Sequence, residues 1–222
     1  MLAPSIAAAD DMSPEELERW FLEDADDDEA RALAVNEGPL VFLPTPPDKP
    51  AHHSHNTLTI DDNSLSSGWV KLGQCHRNLD PVPASQVVYR YHRMRGLRIE
   101  SSSGIERVWV EDNSVQLSNV HHHATLCVSA EVGILYRNPD NSYSLRNGPF
   151  HRKFLDGYYP MQVTLDIHYP AARLQIQDIT PTPQPGFSVS PSPGRLLINT
   201  WFEGELRTEL RFTPLVDKST IP

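Results

Sequence analysis

The sequence predicts an all-β protein, an antiparallel β-sandwich made of two packed units behind a short acidic helical arm. Apolar residues alternate with period two from about residue 39 to 213, and turn residues cut that alternation into short runs. Neither an internal repeat nor a β–α–β succession is present, which argues against parallel α/β folds.

The 222-residue chain is 39% hydrophobic, a globular composition with enough length to bury a core. No run approaches the roughly 18 to 20 consecutive apolar residues of a membrane-spanning helix. The net charge is −10, but residues 1–37 hold 12 acids and 2 bases, leaving 17 of each beyond. A neutral body creates no broad field for nucleic acid or an anionic membrane.

In the arm, Ser13-Pro14-Glu15-Glu16 combines an N-cap, a first-position proline and a capping box, so a helix starts there and presents Leu17, Trp20 and Phe21 on one face. A second short helix through Leu33 ends at Gly38. Asp24, Asp26 and Asp28 alternate as calcium ligands do, yet the turn glycine and distal glutamate of an EF-hand loop are absent. Ala7-Ala8-Ala9 before Asp10 has the small-residue pattern of a signal-peptidase site without the basic and apolar segments that precede one. The expectation is an exported, periplasmic or secreted protein that begins near Asp10, its signal peptide starting upstream.

Four prolines between 44 and 56 predict an extended linker carrying His52, His53 and His55. Strands are expected at Thr57–Ile60, Trp69–Leu72, Gln86–Tyr89, Leu97–Ile99, Val108–Val110, Val115–Leu117 and Thr125–Val128. Further along, Met161, Val163, Leu165, Ile167 and Tyr169 line one strand face, and the theme repeats at 174–176, 187–189, 196–198 and 206–212. In the last of these, Glu205, Arg207, Glu209 and Arg211 form an outward mixed-charge ladder that discourages edge-to-edge aggregation. Five prolines between Ile179 and Gly194 mark loops or edge segments, and Phe150–Leu155 is a helical turn at most. The expected units are 1–37 (arm), 38–148 and 149–214 (β units) and 215–222 (tail), a single larger sandwich being the alternative.

The Val-x-Leu-x-Ile-x-Tyr-Pro pattern at 163–170, followed by Leu-x-Ile, resembles modules of the immunoglobulin-like and cohesin-like kind. Alternation with proline is generic to sandwiches, and Trp109 lies nearer the second cysteine than the first, so the resemblance names an architecture and no family. Cys75 and Cys127 are the only cysteines and are expected to form a disulfide, two reduced buried thiols being the competing reading.

No GxSxG, HExxH, CxxC, glycine-rich phosphate loop or dinucleotide fingerprint occurs. Cys75-His76 lacks the second cysteine of a haem-attachment motif, and neighbours on a strand face opposite ways, which disfavours a nucleophile pair. Tyr89–Arg98 interleaves four arginines with two tyrosines, a composition that stacks bases, yet one short patch expected to turn at Arg95-Gly96 is weak evidence for nucleic acid. Histidine is the unusual feature. On extended backbone His53 and His55, and likewise His121 and His123, face the same way, so copper or zinc is the expected cofactor if the clusters, with His52, converge or if His76 supplies a third ligand. The functional expectation is a non-catalytic protein acting by binding or assembly with a protein partner or ligand. Metal binding or delivery is the alternative, and an unrecognised hydrolase comes third.

Overall fold

The computed structural model describes residues 38–155 and 157–215. The expected acidic arm at 1–37 and residues 216–222 lie outside them. In chain order the elements are β1 (Val41–Phe42), β2 (His53–Thr59), α1 (Asp62–Ser67), β3 (Trp69–Leu79), β4 (Ala84–Val88), β5 (Met94–Glu111), β6 (Ser114–Gly133), β7 (Leu135–Arg137) and β8 (Tyr143–Phe150). They continue with β9 (Arg152–Phe154), β10 (Gly157–Tyr159), β11 (Met161–His168), β12 (Leu174–Thr180), β13 (Phe187–Ser192), β14 (Arg195–Glu203) and β15 (Leu206–Pro214).

Nine strands form one sheet in the order β1-β14-β11-β2-β3-β6-β4, with β13 added to β14 and β5 to β6. A second sheet runs β12-β15-β8-β7, and β9 pairs with β10 in a small ribbon. Every pairing is antiparallel except β2 with β11, which is parallel. The two main sheets form a β-sandwich: Leu58, Leu72, Leu126, Leu165, Ile198 and Phe202 of the large sheet share one buried cluster with Leu145, Leu174, Leu210 and Phe212 of the small one. Each such side chain removed from water contributes about 1.5–3 kcal/mol. Strands from both sides of residue 148 build both sheets.

The late alternation is realised as expected, with Met161, Val163, Leu165 and Ile167 of β11 all buried. Pro191 sits on β13, which pairs with β14 alone and so tolerates a residue that cannot donate. The mixed-charge ladder lies on β15, a central strand of the small sheet rather than an edge, and there Arg146 pairs with Glu209 and Arg211 with Asp140 across the sheet surface.

Four expected short strands are in fact two long ones. Leu97–Ile99 and Val108–Val110 both belong to β5, and Val115–Leu117 and Thr125–Val128 to β6. Ser101-Ser-Ser-Gly104 and His121-His-His123 interrupt the apolar pattern without ending the ladder, because the two strands pair with each other through three register shifts. Gly96, with φ +65°, lies at the first shift, so the chain bulges at Arg95-Gly96 instead of turning. Phe150–Leu155 contains strand β9 in place of a helical turn. The six-residue helix α1 was not apparent from apolar periodicity; it is set by a reciprocal capping box between Asp61 and Ser64.

Cys75 and Cys127 are bonded. They are register partners on β3 and β6 with Cα atoms 4.1 Å apart, so the bridge ties neighbouring strands of one sheet, unlike the inter-sheet bridge of antibody domains. No helix among the described residues is long and apolar enough to cross a membrane.

Candidate functional site

Strand β2 begins inside the expected proline linker, at His53. Its core-facing positions there are polar, Ser54 and Asn56, and they stand in register with His76 and Gln74 of β3. All four are buried, which places a hydrogen-bonded cluster at one end of the core. The first turn of alternation in β2 is therefore polar on both faces, and apolar periodicity cannot reveal it.

Two backbone carbonyls orient the whole cluster. Asn56 Nδ2 reaches the Ser54 carbonyl at 3.2 Å and the Thr164 carbonyl at 3.4 Å; a carbonyl only accepts, so Nδ2 donates and Asn56 Oδ1 is the acceptor. Gln74 Nε2 then donates to that Oδ1 at 2.5 Å, leaving Gln74 Oε1 as acceptor for the Tyr89 hydroxyl at 2.7 Å and for His76 Nε2 at 2.8 Å. His76 is thereby the Nε2–H tautomer. Its bare Nδ1 accepts from His52 Nε2 at 2.8 Å, which leaves Nδ1 of His52 as the unprotonated nitrogen. Both imidazoles are held neutral. Burial, then the charge of Arg152, lowers His52 to about 4, and burial lowers His76 well below its ordinary value. Burial likewise raises the Tyr89 hydroxyl.

This cluster floors a cavity of about 350 Å³. Its opposite wall includes Arg152 of β9, whose guanidinium grips Asp80 through Nε at 2.9 Å and Nη2 at 2.5 Å, so the β9–β10 ribbon is fastened beside the cavity. Lys153 and Arg90 add positive charge.

The third wall is β4, which pairs with β6 on one side only. The bonds Tyr89 N–H to Asn113 O and Asn119 N–H to Pro83 O place the odd-numbered residues in the hydrogen-bonded positions of that ladder. Antiparallel geometry then turns the N–H and C=O groups of Ala84, Gln86 and Val88 away from β6, toward the open side. These residues are exposed, and the strand Ala-Ser-Gln-Val-Val carries no charge. Another edge, β5, is interrupted by bulges and charged at Arg95, Arg98, Glu100, Glu106 and Arg107, and the β13 edge carries Pro191.

The histidines singled out from the sequence separate into three environments. His52 joins the cavity floor. His53 and His55 lie on the opposite face of the sheet, ring centroids 6.2 Å apart and edge-on, with His53 Nε2 bonded to Thr164 Oγ1 at 2.9 Å. His121, His122 and His123 are exposed in a bulge: Ser103 pairs with Thr125 and Ile105 with Val120, so residues 121–124 confront Gly104 alone. Gly104 has φ +67°, and a Cβ there would lie 3.1 Å from Ala124 Cα, so the bulge depends on glycine. Among the described residues no group of three or more His, Cys, Asp or Glu is placed to hold a metal ion.

The arginine- and tyrosine-rich segment is used internally. Tyr89 belongs to the cluster, Tyr91 donates to Asn147, and Arg93 and Arg95 stack over Trp69 at 4.6 and 4.4 Å. Gln74, Asp80 and Arg152 escaped sequence reasoning, and Tyr89 entered it only as part of the arginine- and tyrosine-rich patch. The available signal was the paired polar spacing Ser54-x-Asn56 and Gln74-x-His76 inside strand-like segments. Both thiols are in the disulfide, and the hydrogen bonds of the two imidazoles go to each other and to Gln74, not to a hydroxyl nucleophile. No known protein-family model and no curated protein matches the chain.

Proposed function

We propose that this protein is a non-catalytic binding protein of an oxidising compartment outside the cytoplasm, and that it captures an extended polypeptide segment by strand addition to β4. The observation that carries this reading is the free edge at Ala84, Gln86 and Val88 directly beside the cavity. Main-chain hydrogen bonds to such an edge supply affinity for any extended chain, and alternate side chains entering the adjoining cavity supply selectivity. Arg90, Arg152 and Lys153 against the single Asp80 favour a neutral or acidic side chain there. The hydrogen-bonded cluster of His52, His76 and Gln74, with Asn56 bonded behind Gln74, gives the cavity a rigid floor, which lowers the ordering cost of binding. The Cys75–Cys127 bond and the absence of a reduced thiol support the oxidising compartment.

The test is selection of the full chain against a phage-displayed random peptide library, followed by calorimetry of the selected peptides with the parent and with Gln86→Pro. The Gln86 N–H faces outward, so proline removes a donor to the added strand without breaking the ladder to β6. Affinity for Gln86→Pro is expected to fall at least about tenfold while its melting temperature stays near that of the parent. Failure to enrich any peptide, or equal affinity for parent and variant, overturns the reading.

A further inference from the structure

A second cavity, of about 500 Å³, lies on the other side of the Arg90-Tyr91 and Gly148-Pro149 segments. Asn147 of β8 and Thr208 of β15 both line it, and they are register partners on adjacent strands. Each is more than nine-tenths buried, and each holds a polar atom without a partner among the described residues: Asn147 Nδ2 and Thr208 Oγ1. The orientation of the amide is not arbitrary. Asn147 Oδ1 accepts from the Gly148 N–H at 2.9 Å, a group that can only donate, and from the Tyr91 hydroxyl at 2.7 Å, so the unpartnered atom is the NH2 donor. Two adjacent buried donors without acceptors are costly, roughly 1–3 kcal/mol each, and an acceptor supplied from outside removes that cost.

The charge around them has the matching sign. Arg90, Arg146 and Arg207 line the cavity with one carboxylate, Glu209. Glu209 is taken by Arg146 at 3.2 Å, Arg207 is held loosely by Glu205 at 3.5 Å, and Arg90 meets no carboxylate among the described residues. The remaining lining is largely apolar, with Ile134, Tyr136 and Pro149. We infer that this cavity binds a small organic acid, its carboxylate oxygens accepting from Asn147 Nδ2 and Thr208 Oγ1 and facing Arg90, its apolar body against Ile134 and Pro149. A planar carboxylate presents two acceptors to two neighbouring donors, and charge-assisted bonds of this kind are about twice as strong as neutral ones. Arg90 lines both cavities, whereas Asn147 and Thr208 line this one and not the first, and carboxylate binding here does not depend on strand addition at β4.

The experiment is calorimetry of the full chain with three probes: benzoate, its uncharged analogue benzyl alcohol, and inorganic phosphate. Saturable benzoate binding is expected, at least about tenfold tighter than either of the others. Thr208→Val, which keeps the shape and deletes the hydroxyl, and Arg90→Gln, an exposed position where folding is not at stake, are each expected to weaken benzoate about tenfold or more. Gln86→Pro is expected to leave benzoate binding unchanged. Absence of saturable benzoate binding, equal binding of benzyl alcohol, tighter binding of phosphate, or parent-like affinity in Arg90→Gln overturns the inference.

Discussion

His52 Nε2 lies 2.8 Å from His76 Nδ1, and the direction of that hydrogen bond is dictated by the Ser54 and Thr164 carbonyls, relayed through Asn56, Gln74 and His76. Protonating His76 would place two N–H groups face to face unless His52 changed tautomer. The cluster is stable as built only while both rings are neutral, and this links it to pH.

His76 is neutral when folded and returns to about 6.5 on unfolding, so between pH 6.5 and its lower folded value the unfolded chain binds a proton that the native chain does not. Stability from this group is full above pH 6.5 and falls as pH drops below it, by up to about 1.4 kcal/mol per pH unit. His52, lowered to about 4, acts in the same direction. Urea unfolding of the parent is expected to shift to lower midpoints from pH 7 to 5, and His76→Gln to show a shallower fall. Equal pH slopes would show that His76 titrates normally.

The disulfide encloses the β5–β6 turn and spans 52 residues of sequence. Alkylation without reductant is expected to modify no thiol, as read by intact mass. The Cys75→Ala/Cys127→Ala double variant is expected to lose about 2–4 kcal/mol in denaturant unfolding. Its strand content by circular dichroism should be unchanged, because the β3–β6 ladder continues on both sides of the bridge.

Asp80 and Arg152 are both largely shielded, at 27% and 19% side-chain exposure, and their two-bond contact fastens the β9–β10 ribbon. Asp80→Ala is expected to cost about 1–3 kcal/mol, since it strands a partly buried guanidinium. Hydrogen exchange should rise first in residues 152–159.

For the histidine clusters the expected result of titrating tag-free protein with Zn(II) and Cu(II) is no binding tighter than about micromolar, with His53→Ala/His55→Ala and His121→Ala/His123→Ala matching the parent. Zinc needs each nitrogen at about 2.0–2.1 Å and four ligands in a structural site. The described chain offers an edge-on pair with one nitrogen already bonded, and a separate exposed bulge. Tight binding abolished by either pair would revive the metal reading.

The all-β class, the sandwich and the disulfide were legible in residue order because each rests on a local signal. Met161 to Ile167 alternate strictly, and two cysteines admit a single pairing. Strand lengths were less legible: Ser101–Gly104 and His121–His123 look like turns in sequence, yet bulges let β5 and β6 stay paired around them, and only the partner strand determines that. The polar cluster was decided by tertiary structure alone. Ser54 and Asn56 of β2 and Gln74 and His76 of β3 carry no apolar signal that would place them inside; once their face of the sheet is buried, the penalty for burying an unpaired polar group forces them onto one another. Residue order determines which faces can be apolar; which polar residues are enclosed depends on what packs above them, and that is a property of the folded sheet.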